Sequence, residues 1–279
     1  MKGGFTLYNG KFHKESDLLF SGLDLFRLNS GIKESFRTEN NLILFAEDNF
    51  NYLLRGLTSM HLSVPKDWNL NRFKSDVSRL LNKNHFYLAA KVTIHLIPST
   101  SGTEYLMTAD ELPNGFYPIV ESNLLIDFYT EGTKSVSKQS AFELSSRTLW
   151  TSATHAAIAQ GKNNLILLNQ SDLACESIGG SFGYISNKTV YFPSVRANGY
   201  TPPILSSIKR CVQKCGYMSR EIESISKEDL MNADELFLID NCLGILSVLG
   251  LNSRRYYKSE TMALAHKLQE ISKVEHPST

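Results

Sequence analysis

At Ala46 the apolar period of this chain changes, and that change limits the possible folds more than any single motif does. Before it, Gly31-Ile-Lys-Glu-Ser-Phe-Arg-Thr38 alternates enough for a strand, Glu39-Asn-Asn41 reads as a turn, and Leu42-Ile-Leu-Phe45 returns as the second arm of a hairpin. After it, Phe50, Leu53, Leu54, Leu57 and Met60 recur at helical spacing. Glu47 and Asp48 fall in the first turn, where the helix macrodipole favours acidic groups. A chain that changes period in this way predicts a mixed α+β architecture.

The pattern continues through the rest of the sequence. A second helix is expected near Asn71 to Leu81, with Phe73, Val77, Leu80 and Leu81 inward, then a strand over Lys91–Ile97 that Pro98 should stop. Pro113, Asn114, Gly115 and Pro118 crowd into the stretch from Asp110 to Pro118, which predicts a boundary between two α+β halves, residues 1–115 and 116–279. Beyond it the spacing predicts a strand at Leu124–Tyr129, a polar segment and a strand around Phe142. A helix over Trp150–Gln160 follows, ended by Gly161, and then a strand at Leu165–Leu168. Thr201 is expected to cap a helix with Pro202 at its first position and Ile204, Ile208, Cys211, Val212 and Cys215 on its apolar face. A short helix at Asp229 and a strand over Leu236–Ile239 complete the reading.

With 279 residues, 42% hydrophobic and 20% charged, the chain can bury an ample core. A formal net charge of +1 provides no field for nucleic acid or an anionic membrane. Met1-Lys-Gly-Gly-Phe-Thr-Leu lacks the apolar centre of a signal peptide, and the run Cys242–Leu251 is too short to span a bilayer, so the expectation is a cytoplasmic protein. Four cysteines, Cys175, Cys211, Cys215 and Cys242, lack the paired spacing of a zinc site and are expected to be reduced thiols. No metal is expected. Ser177-Ile-Gly-Gly-Ser-Phe-Gly183 is Gly-rich but lacks the lysine of a P-loop, and reads as a tight turn into a strand at Phe182–Ile185.

A series of short segments in fixed order carries more information: Ala46-Glu-Asp-Asn-Phe-Asn-Tyr-Leu, Ala153-Thr-His-Ala-Ala-Ile-Ala-Gln-Gly161, Leu165-Ile-Leu-Leu-Asn169, Cys175-Glu-Ser177, Gly199-Tyr-Thr-Pro-Pro, Ala233-Asp-Glu-Leu-Phe-Leu238 and Gly244-Ile245. Together they resemble the class IV aminotransferases, the pyridoxal-phosphate (PLP) family that includes branched-chain aminotransferase and aminodeoxychorismate lyase. The resemblance implies a two-domain α+β fold with a ligand cleft between the halves, a homodimer, and PLP as cofactor. It also implies that Glu176 is the carboxylate that pairs with the pyridine nitrogen and keeps the ring an electron sink.

The remaining family positions depart from the pattern. Counting back from Glu176 by the family's spacing in the low thirties lands on Glu143, where the Schiff-base lysine should stand, and a carboxylate cannot form an imine. Lys138 is five residues too early; Arg147 is four too late and stays protonated. The phosphate-binding arginine aligns with Tyr52 and the histidine before it with Asn49. The glycine of the phosphate turn aligns with Pro203, the arginine after it with Ser206, and the asparagine beyond the ring glutamate with Ser181. Ile204 and Leu205 occupy the backbone positions of that turn, and the start of its helix could still hold a small anionic ligand. The reading is therefore a degenerate, non-catalytic or binding homologue. The alternative is an active aminotransferase or 4-amino-4-deoxychorismate lyase using a displaced lysine such as Lys138. A further option makes Glu143 and Glu176 an acid–base pair. His61, His85, His95 and His155 show no pairing with a nucleophile.

Overall fold

The computed structural model describes residues 4–17, 29–113, 115–117, 119, 123–144 and 147–275. Two compact units emerge, one drawn from Met1–Pro118, Glu143–Ser146 and Ser272–Thr279, the other from Ile119–Phe142 and Arg147–Ile271. The mixed α+β architecture expected from the change of period is what the chain adopts.

The first unit is built on an antiparallel sheet of β1 (Phe5–Tyr8), β2 (Lys11–Lys14), β3 (Ile32–Glu39), β4 (Leu42–Ile43), β5 (Ala89–Ser99) and β6 (Gly102–Glu111), in the order β2-β1-β6-β5-β3-β4. Two helices accompany it, α1 (Ala46–Ser59) and α2 (Leu70–Asn84). Phe73, Val77, Leu80 and Leu81 of α2 are fully buried, as their spacing predicts. Phe73 meets Phe36 of β3 with ring centroids 5.3 Å apart and Phe50 of α1 at 5.6 Å, so an aromatic cluster joins sheet and helices. Pro98 does not end β5. It sits one pair from the hairpin end, opposite Thr103, where the strand has little further need of an N–H to lend. Strand β6 and the hairpin β1–β2 are not among the elements predicted from the sequence, although the hairpin turns on an Asn9-Gly10 pair with φ 46° and 79°.

The second unit holds β7 (Leu124–Phe128), β8 (Asn164–Leu168), β9 (Ala174–Ser177), β10 (Ser181–Ser186), β11 (Thr189–Pro193), β12 (Met218–Ile222), β13 (Glu235–Asp240), β14 (Gly244–Leu251) and β15 (Arg254–Arg255). They form one mixed sheet in the order β12-β11-β10-β13-β14-β7-β8-β9, with β15 on β14. Its helices are α3 (Thr148–Ala159), α4 (Leu205–Lys214), α5 (Lys227–Met231) and α6 (Ser259–Glu275), whose last residues belong to the first unit. A core of Ile126, Ile166, Leu168, Phe182, Leu236, Leu238 and Val248 lies along the sheet. The Gly-rich stretch turns between β9 and β10 with Gly179 at φ 74°, a conformation that glycine adopts without strain.

Two expectations fail here for local reasons. Phe142 lies in a turn rather than a strand. Ser140 Oγ donates to Ser135 O and accepts from Ser137 N–H, so serine hydroxyls give the backbone an alternative to a ladder. Thr201 is not the cap of α4, which begins only at Leu205 behind Ile204. The residue before a proline is pushed out of the helical region, so Pro202-Pro203 makes a turn, closed by Leu205 N–H to Pro202 O at 3.0 Å, before a helix can start. Cys211 and Val212 are buried on the predicted face, and Gly216 at φ 80° lies just beyond the end of the helix.

Burial raises the pKa of Tyr105, Tyr184 and Tyr256 from the usual 10 to about 12. Hydrogen bonding to Asp76 adds to the effect for Tyr105 and the charge of Asp229 adds to it for Tyr184, whereas Arg254 opposes it at Tyr256. An acid held above its unfolded pKa gives stability that is complete below roughly pH 10 and is lost as pH climbs towards about 12. Urea midpoints should therefore fall over that window, on the order of 2 kcal/mol for each tyrosine. A flat profile would contradict the burial of these hydroxyls.

Candidate functional site

Glu176 sits on β9 with no solvent exposure, and its carboxylate accepts four hydrogen bonds. Lys134 Nζ donates to both oxygens, at 2.9 Å to Oε1 and 2.7 Å to Oε2. Trp150 Nε1–H reaches Oε1 at 2.7 Å, and the backbone N–H of Tyr200 reaches Oε2 at 2.6 Å. A carboxylate offers about four lone-pair sites. Here each has a donor.

Several elements converge on this carboxylate. Lys134 is placed by its own backbone, whose N–H donates to Leu168 O at 2.8 Å and which bridges Asn169 at the end of β8. Trp150 lies in the first turn of α3, buried, with the Tyr200 ring edge-on at 5.5 Å and the Arg147 guanidinium over its face at 5.2 Å. Tyr200 is brought in by Gly199, which packs so closely on β9 that an added Cβ would stand 1.8 Å from Cys175 O. Beside Glu176, burial first and then the Glu176 charge push the Cys175 thiol up, which leaves it a protonated, inert side chain.

The turn that the resemblance would assign to phosphate is also engaged within the chain. Ile204 N–H donates to Asn241 Oδ1 at 3.0 Å, and Leu205 N–H to Pro202 O at 3.0 Å. The residue before Asn241, Asp240, accepts from Cys242 N–H at 2.7 Å and Leu243 N–H at 2.8 Å. Ser206 Oγ donates to Pro203 O at 3.2 Å. Glu176 and this turn therefore belong to the same unit, joined through the segment from Gly199 to Leu205.

Tyr52 and Glu143 belong to the other unit and are joined to each other. The Tyr52 hydroxyl accepts the Glu143 N–H at 2.7 Å, and Glu143 O accepts the Lys33 N–H at 2.9 Å. Both side chains are buried. Asn49, also buried, donates through Nδ2 to Leu44 O and Phe45 O at 3.0 Å, closing the entry to α1. Glu143 and Glu176 thus fall in different units, and the first is tied to β3 and α1.

Lys138 and His155 are exposed. The residues that sequence reasoning missed are Lys134, Trp150 and Tyr200 at Glu176, and Asn241 at the Ile204 N–H. Lys134 lies in a polar Lys/Ser/Gln segment with no period, and the bridge that seats it beside β8 leaves no trace in composition. Trp150 could have been suspected, since a buried indole N–H needs an acceptor. Among the described residues no group of three or more His, Cys, Asp or Glu could hold a metal ion, and no helix is long and apolar enough to cross a membrane.

The family described as amino-transferase class IV matches residues 31–251 of the chain. No curated protein sequence matches it. Among solved structures, the branched-chain aminotransferase of Thermoproteus uzoniensis with norvaline superimposes with a TM-score of 0.84 at 17% identity, covering 99% of this chain and 96% of the other. The branched-chain amino acid aminotransferase of Thermobaculum terrenum in its PLP form gives 0.82 at 13% identity, covering 97% and 94%. The Escherichia coli branched-chain amino acid aminotransferase gives 0.82 at 13% identity, covering 94% and 92%. Likeness at these identities establishes the fold.

Proposed function

Because the chain belongs to the class IV aminotransferase family, we propose that it is a member whose PLP site is degenerate, a binding or otherwise non-catalytic homologue without Schiff-base chemistry. One observation carries the reading. In the family the ring-binding glutamate must have acceptor capacity left for a pyridine N–H. Here Lys134 supplies the positive charge that a protonated pyridine would supply, and with Trp150 and Tyr200 it takes every acceptor position of Glu176. The phosphate side supports the same view: the Ile204 and Leu205 N–H groups are bonded to Asn241 and Pro202 and so are not left for a phosphate. These residues do not fit the cofactor, so no chemical step runs through it.

The wider proposal is a cytoplasmic homodimer, in keeping with the family and with the near-neutral charge. A second reading has one observation in its favour. If a displaced lysine served an active aminotransferase or lyase, Lys134 rather than exposed Lys138 would be the residue, because it already stands against Glu176. Against it, an ammonium held between two carboxylate oxygens is the form of lysine that cannot attack a carbonyl.

Mixing the purified protein with excess PLP tests the proposal. The expected result is no absorbance band beyond that of free PLP and no rise in melting temperature. A stabilisation that grows with PLP concentration would overturn it.

A further inference from the structure

A cavity lies within the first unit, apart from Glu176, Glu143, Tyr52 and the Gly199–Leu205 segment. Its volume is about 560 Å³, and its walls include Lys66, Asp67, Arg72, Glu104 and Tyr105. The segment before α2, the first turn of α2 and the hairpin end of β5–β6 supply them.

Arg72 is set in place from behind. Asp76, one helical turn on and fully buried, accepts Arg72 Nε–H at 2.9 Å, the Tyr105 hydroxyl at 2.7 Å and Arg79 Nη1–H at 3.0 Å. Gly10 makes the room: a Cβ there would lie 2.2 Å from Arg72 Nη2. The guanidinium is thus oriented by a buried carboxylate and also engages the Tyr105 hydroxyl, with 46% of the side chain still exposed. Lys66 and Asp67 are exposed, and their side chains make no hydrogen bond or ion pair among the described residues. Glu104 accepts from the Tyr8 hydroxyl.

Two cations and two carboxylates on one wall set, with one cation fixed, select a particular ligand. A simple oxyanion such as phosphate would be repelled by Asp67 and Glu104, and a simple amine by Arg72 and Lys66. We infer that this cavity binds a small zwitterion, its carboxylate on Arg72 and Lys66 and its ammonium on Asp67 and Glu104. The chemical class is that of a free amino acid. An arginine already oriented loses less freedom on gripping a carboxylate than a loose one would.

Calorimetric titration of the full chain with alanine, glutamate and lysine tests this, with propionate, ethylamine and inorganic phosphate as single-charge controls and hydrogen exchange to locate the effect. At least one amino acid should bind and protect the backbone of residues 61–70 and 99–106. Each control should bind about tenfold more weakly or not at all. Lys66→Ala and Asp67→Asn, both at exposed positions, should each weaken binding about fivefold with the melting temperature unchanged. Absence of binding at roughly 10 mM amino acid overturns the inference. So does phosphate binding as tightly as the zwitterions, or binding that neither variant alters. Protection around 134, 176 and 200–205 instead would place the ligand at the degenerate site and remove this one.

Discussion

Replacing Lys134 by methionine should cost the second unit about 3 kcal/mol or more, although the side chain makes no contribution to an apolar core. The variant leaves Glu176, with no exposed surface, holding a negative charge against only the Trp150 and Tyr200 N–H groups. Breaking one side of a buried pair is far worse than removing both, because the desolvated charge stays behind. The double variant Lys134→Met/Glu176→Gln should therefore recover most of the loss, to within about 1 kcal/mol of the parent. The chain has two tryptophans, Trp68 in the first unit and Trp150 beside Glu176. Urea unfolding in a Trp68→Phe background thus reads the second unit alone. A single variant as stable as the parent would mean that the ion pair is not buried as described.

The second large effect is expected at Gly199→Ala. An added methyl would meet the carbonyl of Cys175 at 1.8 Å and its carbon at 2.5 Å, and both are backbone atoms of β9 that cannot rotate away. The segment must move off the strand, which draws the Tyr200 N–H from Glu176 Oε2 and exposes a packed edge. Destabilisation of about 3 kcal/mol, a fall of roughly 6–12 °C in melting temperature for a unit of this size, is the expected result. By contrast Gly161→Ala, at φ 63° with open space around it, should cost only about 1 kcal/mol. Equal effects at the two glycines would show that close approach is not what Gly199 provides.

The legibility of the sequence followed physical lines. Helices α1, α2 and α3 were readable because each buries one face at helical spacing, and strands β8, β10 and β13 because, buried on both faces, they survive as short, largely apolar runs. Pairing order was not readable: nothing local tells β10 to pair with β13 rather than β9, or β7 to run parallel between β14 and β8. Errors fell where short-range chemistry overrode pattern. Serines at 137 and 140 turned the segment around Phe142, and consecutive prolines delayed α4 by a full turn. Glu176 was singled out through its neighbours in the family pattern, and the structure shows it buried and fully hydrogen-bonded. The group that faces it was not legible, because Lys134 is brought there by tertiary pairing from a segment whose composition says only that it is polar.

On the proposed reading that pairing also bears on the glutamate at the expected lysine position. Glu143 alone could be one substitution in a working enzyme. Glu143 and Tyr52 are hydrogen-bonded to each other, Lys134 holds Glu176, and Asn241 holds the Ile204 N–H. On the proposed reading each unit's share of these positions is held by contacts within its own chain segments, and neither needs a cofactor to fold.

Borohydride reduction of the protein after incubation with equimolar PLP, followed by peptide mass mapping, tests this most directly. The account predicts no lysine modified in stoichiometric yield, and Lys134 unlabelled. A pyridoxyl group on Lys134 or Lys138 in near-stoichiometric yield would contradict it and return the chain to the active enzymes of its family.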